Sequence, residues 1–159
     1  MTVKIRPMTQ DDKQEVIRLL QALPEFEPSE VAVAEEVIDS YLDNPSGSGY
    51  HIQVAEAGPH LAGYVGYGPV PLTKGTWDLY WIAVSTEKQG KGIGHVLISF
   101  AEDEIRRTGG RLIIIETSSK PTYQNTRHFY LSRGYEIVGC IPDFYAPGDD
   151  KLILWKRLR

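Results

Sequence analysis

The chain has 159 residues, of which 42% are hydrophobic and 24% charged, close to the averages of globular domains. This composition excludes an intrinsically disordered protein, a collagen-like repeat and a disulfide-rich scaffold. The 17 basic and 21 acidic side chains give a formal net charge of −4. Such a balance gives no general affinity for a phosphate backbone, so we expect no nucleic-acid partner.

The cysteine content and the apolar runs bear on the compartment. Cys140 is the one cysteine, which excludes an internal disulfide and favours a reducing compartment. The longest apolar runs, such as residues 112–115, are too short to span a bilayer. The first residues lack the basic-then-apolar pattern of a signal peptide. We therefore expect a cytoplasmic protein with no membrane partner and a single domain over residues 1–159.

The first third of the chain predicts one short strand and two helices. Residues 3–6 alternate between apolar and charged side chains, as a strand does. Thr9 and Asp12 have the spacing of a capping box, and the apolar positions that follow fit an amphipathic helix over residues 11–22. A second helix is predicted over residues 29–43.

The middle of the chain predicts an antiparallel meander. Three strand candidates, residues 50–57, 61–70 and 76–84, are separated by glycine and proline turns.

The remaining elements alternate between helix and strand. A glycine-rich loop opens a helix that reaches residue 108, and the apolar run within residues 111–117 predicts a strand buried on both faces. A helix over residues 125–133 and two strands, residues 135–141 and 151–156, complete the order. The prediction is an α/β (α+β) fold in which one mixed sheet carries helices on both faces.

The loop Gln89-Gly90-Lys91-Gly92-Ile93-Gly94 follows a strand and precedes a helix. Its glycines allow tight turns that direct several main-chain N–H groups at one anion, and the helix N-terminus adds partial positive charge. Lys88 and Lys91 add further attraction. The loop therefore predicts a phosphate or pyrophosphate site; the alternative is a glycine-rich turn without a ligand.

Two other phosphate-binding motifs fit less well. The Gly-Lys-Ser/Thr of a Walker loop is absent. A dinucleotide-binding loop would follow its strand directly and have a third glycine, whereas residues 85–88 intervene here and His95 takes the glycine's position. Glu116, at the end of the next strand, favours the dinucleotide interpretation, but the missing glycine and the antiparallel strands outweigh it.

The loop resembles the Gln/Arg-x-x-Gly-x-Gly/Ala signature of the Gcn5-related N-acetyltransferase (GNAT) family. The preceding strand over residues 79–84, the helix from Ile93, the strand that ends in Glu116 and the segment from Asn125 to Tyr135 follow in the family's order. The resemblance covers essentially the whole chain. It implies a mixed, mostly antiparallel sheet of about seven strands that splays open between its fourth and fifth strands.

The resemblance also implies a binding site for acetyl-CoA. The loop residues Gln89, Gly90, Lys91, Gly92, Ile93 and Gly94 would hold its pyrophosphate. Main-chain groups of Ile82, Ala83 and Val84 in the fourth strand would pair with pantetheine and polarise the thioester carbonyl. Asn125 matches a residue that often contacts the cofactor in the family, and its alternative role is a helix N-cap.

Acetyl transfer to an amine needs a base for the amine's proton and an acid for the departing thiolate. Tyr130 matches the family's general-acid tyrosine; the alternative is a buried core aromatic. Glu116 is the candidate base, because it ends an apolar strand and faces the region where the sheet should open. Its alternative is a solvated strand end or a hydrogen bond to the loop that follows.

The acceptor site is predicted from an acidic segment and a hairpin. Residues 24–44 contain seven acidic side chains and no basic one, which would attract a cationic amine or form a solvated helix face. Phe144 and Tyr145 resemble the hairpin aromatics with which peptide N-acetyltransferases hold their substrates; the alternative is packing beneath the turn. The histidines lack ligand spacing, so we predict no metal site: His51, His60, His95 and His128.

The sequence therefore predicts an acetyl-CoA-dependent N-acetyltransferase that acts by direct transfer to a primary amine of a small molecule, peptide or protein. One alternative is a non-catalytic acyl-CoA-binding regulator on the same fold, and a more distant one is a dinucleotide-binding oxidoreductase. Homodimers are common in the family, and no sequence patch decides whether this chain forms one.

Overall fold

The computed structural model describes residues 2–158, which form seven strands and four α-helices. The strands are β1 (Lys4–Pro7), β2 (His51–Ala57), β3 (His60–Pro69), β4 (Thr76–Val84), β5 (Leu112–Ser118), β6 (Glu136–Ala146) and β7 (Asp149–Arg157). The helices are α1 (Lys13–Gln21), α2 (Pro28–Asp43), α3 (Ile93–Arg107) and α4 (Gln124–Ser132). The predicted order of elements is confirmed.

All seven strands belong to one sheet, in the order β1-β2-β3-β4-β5-β7-β6. Every neighbouring pair is antiparallel except β4 and β5, which are parallel. This confirms the predicted mixed, mostly antiparallel sheet. Within residues 2–158, the helices fall short of the length and hydrophobicity that a membrane crossing requires.

The local signals explain where the first two helices begin. Thr9 and Asp12 form the predicted capping box, in which the Asp12 carboxylate accepts the Thr9 main-chain N–H at 2.8 Å. A short 3₁₀ turn over Gln10–Asp12 leads into α1. Pro28 occupies the first position of α2, where its missing N–H costs no hydrogen bond.

Helices cover both faces of the sheet. On one face, α1 and α2 bury an apolar cluster against β2, β3 and β4, with Leu20, Ile38 and Tyr64 at its centre. On the other face, α3 buries Leu97 and Ile105 in a second cluster that includes side chains of β5 and β7. The sheet thus separates two cores.

β5 is less buried than its sequence predicts. Ile113 and Ile115 are fully buried on the α3 side, whereas Leu112 and Ile114 on the opposite side are half-buried. The reason is that the core under α1 and α2 contains side chains of β2, β3 and β4 and, among the described residues, none of β5. The prediction of burial on both faces was therefore wrong for one face.

β6 and β7 are longer than predicted. Their ladder becomes irregular after Ile141 and resumes at the pair Ala146–Asp149, across a turn of Pro147 and Gly148. Asp143 has a φ of 56° in this irregular segment, and its carboxylate accepts the main-chain N–H of Gly148 at 2.8 Å. The tip of the hairpin therefore extends past the last regular pair of the ladder, Ile141 with Lys151.

β4 and β5 pair over three residues only, from Thr76 with Leu112 to Asp78 with Ile114. Beyond this point, no ladder joins the two strands within the described chain. The sheet opens there, between its fourth and fifth strands, as the family resemblance implies.

Candidate active site

A cleft of about 1360 Å³ occupies the gap between β4 and β5. Its glycine-loop end, formed by residues 88–90, residues 92–95 and Arg133, lies on the side of α3 and α4. Six carboxylates form the other end, which we call the acidic end: Glu25, Glu27, Glu30, Asp78, Glu116 and Asp149.

The alternation of side chains along the strands supports this division into two ends. Trp77 and Leu79 of β4, and Ile115 of β5, belong to the core under α3. Because successive strand residues point to opposite faces, Asp78 and Glu116 project to the face that carries α2. The cleft therefore passes through the sheet from one face to the other.

The edge of β4 supplies free main-chain groups to the cleft. The Ser85 N–H donates to the Ala62 carbonyl at 2.8 Å, which fixes the alternation of the β3–β4 ladder. Ala83 consequently turns its main-chain groups toward β3; a Cβ added at Gly63 would lie 2.5 Å from the Ala83 carbonyl oxygen. The main-chain groups of Ile82 and Val84 face the gap, where, among the described residues, the Val84 N–H is free and the Val84 carbonyl is bound by Gln89.

Gln89 anchors the glycine loop to the end of β4. Its side-chain amide donates to the Val84 carbonyl at 3.0 Å. Gly90 and Gly92 then have φ angles of 77° and 81°, and Gly92 is the N-cap of α3. A side chain rarely adopts this left-handed conformation, so the turn into α3 requires glycine.

The start of α3 presents unpaired donors. From Gly92 to His95, the main-chain N–H groups have no acceptor in the part of the chain that the structure describes. A Cβ added at Gly90 or Gly92 would meet no atom within 4 Å, so the space beside the loop is open. Free donors, open space and a helix N-terminus together suit a phosphate or pyrophosphate. Lys88 lines the cleft, and Lys91 is exposed outside its lining.

α4 packs directly on the start of α3. A Cβ added at Gly94 would lie 3.3 Å from the Phe129 ring, so the small residue lets the two helices approach closely. Asn125 lines the cleft from the first turn of α4. Because α4 begins at Gln124, Asn125 lies inside the helix and is not its N-cap.

Tyr130 reaches the cleft from the buried side of α4. Its side chain is 3% exposed and packs edge-on against Phe129 and Tyr135, with ring centroids 5.6 and 5.9 Å away. Among the described residues, its hydroxyl has no hydrogen-bond partner. Burial raises the pKa of Tyr130 well above its ordinary value, so the hydroxyl keeps its proton across the physiological range.

The carboxylates of Asp78 and Glu116 both line the cleft where the sheet opens. Glu116 lies 2.7 Å from the Lys151 ammonium and is exposed to the cleft. Burial, reinforced by the negative charge of Glu116, raises the pKa of Asp78 above its ordinary value. Asp78 is a site residue that the sequence did not predict; its signal is an acid inside the largely apolar strand Thr76–Val84.

The acidic segment around α2 divides into two groups. Glu25, Glu27 and Glu30 line the cleft. Glu27 pairs with Lys120 at 3.1 Å, and Glu30 accepts a hydrogen bond from the Tyr123 hydroxyl. The other four acids lie outside the lining; two of them, Glu35 and Asp39, pair with Lys13 at 3.1 and 2.6 Å.

Only one residue of the Phe144–Tyr145 pair lines the cleft. Tyr145 lines it, whereas Phe144 lies outside its lining, edge-on to Tyr145 at 4.9 Å and 4.3 Å from the Lys151 ammonium. Asp149 accepts a hydrogen bond from the Ser118 hydroxyl, which ties the hairpin to the end of β5. This bond places the hairpin, and with it Tyr145, beside the acidic end.

Comparisons with known proteins agree with this architecture. The profile of the acetyltransferase (GNAT) family matches residues 14–135. N-acetyltransferase 8B of Rattus norvegicus is 32% identical over 107 residues, which cover 65% of this chain and 46% of that protein. The chain thus spans about half the length of this curated relative.

Two solved structures share the fold over nearly their whole length. A protein assigned to the GNAT acetyltransferases from Desulfovibrio desulfuricans superposes with a TM-score of 0.94 at 38% identity, covering 98% of this chain and 99% of that one. The PaiA N-acetyltransferase of Thermoplasma acidophilum, solved in complex with coenzyme A, gives a TM-score of 0.78 at 16% identity over 99% and 100% of the two chains. The family profile matches well over half of the sequence, and the chain belongs to the acetyltransferase (GNAT) family.

Proposed function

We propose that this acetyltransferase moves the acetyl group of acetyl-CoA directly onto a primary amine that carries positive charge. The observation that carries the proposal is the polarity of the cleft. One end offers main-chain donors and cationic side chains to phosphates, and the other offers carboxylates to an ammonium group. The gap between β4 and β5 joins the two ends.

The glycine-loop end fits CoA. The N–H groups from Gly92 to His95 would hold the pyrophosphate, with Lys88 nearby. The main-chain groups of Ile82 and the N–H of Val84, on the free edge of β4, would pair with the amides of pantetheine in the manner of an added strand. The CoA complex of the PaiA protein, which has the same fold, supports this choice of ligand.

When acetyl-CoA is bound, its thioester supplies the acetyl group, and the CoA thiolate leaves as the new amide bond forms. Tyr130 is our candidate for the acid that protonates this thiolate. Its hydroxyl is protonated, lines the cleft and lacks a competing partner among the described residues.

The amine must lose a proton, because an alkylammonium group has an ordinary pKa of about 10.4. Glu116 is the base that the sequence predicts, but Lys151 lies 2.7 Å from it and competes for its negative charge. Asp78 has no ion-pair partner among the described residues, and its raised pKa gives it greater proton affinity. We therefore favour Asp78 as the base, with Glu116 as the alternative.

The acceptor is proposed to enter from the α2 side. Glu25 is half-buried. Its burial raises the pKa of its carboxyl group, and the negative charge of Glu30 raises this pKa further. Without an ion-pair partner among the described residues, Glu25 is available to a substrate cation. Tyr145 offers an aromatic face at the same end, which suits an ammonium group.

Two measurements test the function. Acetyl-CoA at a hundred times its dissociation constant should stabilise the fold by about 2.7 kcal/mol. For a domain of this size, that corresponds to roughly 5–10 °C in Tm. NADH, tested as a control, should give no shift.

Release of free thiol is then followed with acetyl-CoA and a panel of mono- and polycationic amines. Turnover with a cationic amine supports the enzyme. Stabilisation by CoA without turnover on any amine would instead support the non-catalytic acyl-CoA-binding regulator.

A further inference from the structure

We infer that Arg133 and His95 form a subsite for a phosphate monoester beside the glycine loop, which would recognise the 3′-phosphate of CoA. This inference rests on the proposed use of acetyl-CoA. It goes further by assigning a second anion site, separate from the loop, that discriminates CoA from 3′-dephospho-CoA.

The two residues are brought together by the packing of two helices. His95 is the third residue of α3, and Arg133 directly follows the last residue of α4. The close approach of Gly94 to Phe129 sets the distance between these helices. The Arg133 guanidinium then donates from Nη1 to Nδ1 of His95, and both side chains line the cleft.

Arg133 is incompletely bonded in this arrangement. Its Nε is buried and has no hydrogen-bond partner among the described residues. A guanidinium carries five N–H donors, and a buried donor without an acceptor costs free energy. An anion beside His95 would supply acceptors to the remaining N–H donors of the guanidinium without breaking any ion pair, because Arg133 has no carboxylate partner within the described chain.

His95 contributes a second donor. Since it accepts from Arg133 at Nδ1, its proton lies on Nε2, which has no acceptor among the described residues and can donate to a ligand. Arginine is also the side chain best matched to a phosphate, because its planar fork donates two parallel hydrogen bonds.

The charge distribution favours an anion at this place. The charged residues that line the glycine-loop end are Lys88 and Arg133, and all six lining carboxylates lie at the acidic end. A pyrophosphate would use the main-chain donors from Gly92 to His95. CoA carries one further phosphate, and the Arg133–His95 pair lies next to those donors.

The experiment compares CoA with 3′-dephospho-CoA by isothermal titration calorimetry on the whole chain. The wild-type protein should bind CoA about tenfold more tightly or better, as expected for a charge-assisted hydrogen bond. Arg133→Gln should reduce this preference to near one while leaving the affinity for 3′-dephospho-CoA unchanged. Arg133→Lys, which keeps the charge without the fork, should give an intermediate preference.

Arg106→Gln is the matched control, because Arg106 lies on the outer surface of α3, pairs with Asp103 at 3.1 Å and does not line the cleft. It should keep the wild-type preference. Equal wild-type affinities for the two ligands would overturn the subsite and leave the proposed function standing. An equal loss for both ligands in Arg133→Gln would identify a structural clamp between α3 and α4 and also overturn it. Failure of the wild type to bind either ligand would overturn the proposed function itself.

Discussion

The two ends of the cleft are built from different parts of the polypeptide. The glycine-loop end relies on main-chain groups: the N–H donors at the start of α3 and the free edge of β4. The acidic end relies on side chains, principally Asp78, Glu116 and Glu25. Main-chain donors constrain the sequence through conformation, whereas side-chain sites constrain it through chemical identity.

Mutations at the two ends should therefore affect different properties of the protein. Substitutions at the acidic end should change turnover and acceptor binding and leave CoA affinity intact. Substitutions that alter the backbone at the glycine loop should do the reverse. Tyr130 lies in the cleft between the two, where the reacting groups would meet.

The largest effect is expected for Tyr130→Phe. Loss of a general acid lowers kcat by about 10²–10⁴-fold, whereas CoA affinity should stay within about twofold because the ring still packs. Steady-state kinetics and calorimetry measure the two quantities. Tyr135→Phe is the control: its hydroxyl donates to buried Glu102 at 2.8 Å outside the cleft, so it should lower stability by about 1 kcal/mol and spare kcat. Full activity in Tyr130→Phe would contradict the acid assignment.

The next effect concerns the base. Asp78→Asn should lower kcat/KM by about 10²-fold or more. Glu116→Gln, the matched variant on the neighbouring strand, should lose less. The opposite ranking would return the role of base to Glu116.

Asp78 also predicts a pH dependence. Because its pKa is raised, the acidic limb of kcat/KM should lie above the range of an ordinary aspartate, and activity should fall as the pH decreases through that value. The same shift means that the ionised carboxylate destabilises the fold above its pKa. Asp78→Asn should therefore raise Tm at neutral pH while it lowers activity, whereas an unchanged or lower Tm would contradict the burial argument.

A smaller effect is expected from the backbone at the other end. Gly92→Ala forces a side chain into a φ of 81°, which costs about 1–2 kcal/mol of stability. Displaced N–H donors should weaken CoA binding by roughly tenfold. Gly58→Ala is a close match, since Gly58 has a φ of 75° and equally open space but lies in the β2–β3 turn. Gly58→Ala should show similar backbone strain and bind CoA with wild-type affinity. If Gly92→Ala also binds CoA with wild-type affinity, the loop does not hold the cofactor.

The same contrast explains what could be predicted from the sequence. The glycine loop was recognisable because left-handed turns and a helix start leave a short, local motif, and the order of elements around it led to the family and the fold. Tyr130 was found through its position relative to that motif. These features depend on residues that are close together in the chain.

Features that depend on tertiary geometry were not predictable in this way. The orientation of Ala83 toward β3 follows from the register of two strands, which one sequence does not specify. Asp78 acquires its place only where β4 separates from β5. Phe144 and Tyr145 are adjacent in the chain, yet only Tyr145 lines the cleft.

The smallest expected effect tests the cation preference of the acidic end. Glu25→Gln should raise the KM of a cationic amine about two- to fivefold, as for a partly exposed ion pair, with CoA affinity unchanged. Glu36→Gln removes the same charge from an exposed site on α2 outside the lining, so it separates local contact from long-range attraction. If both variants raise KM equally, and salt abolishes the change, the acidic segment acts only as a diffuse field. If Glu25→Gln alone has the effect, the carboxylate contacts the acceptor, and the cation preference depends on one side chain of the acidic segment that lines the cleft.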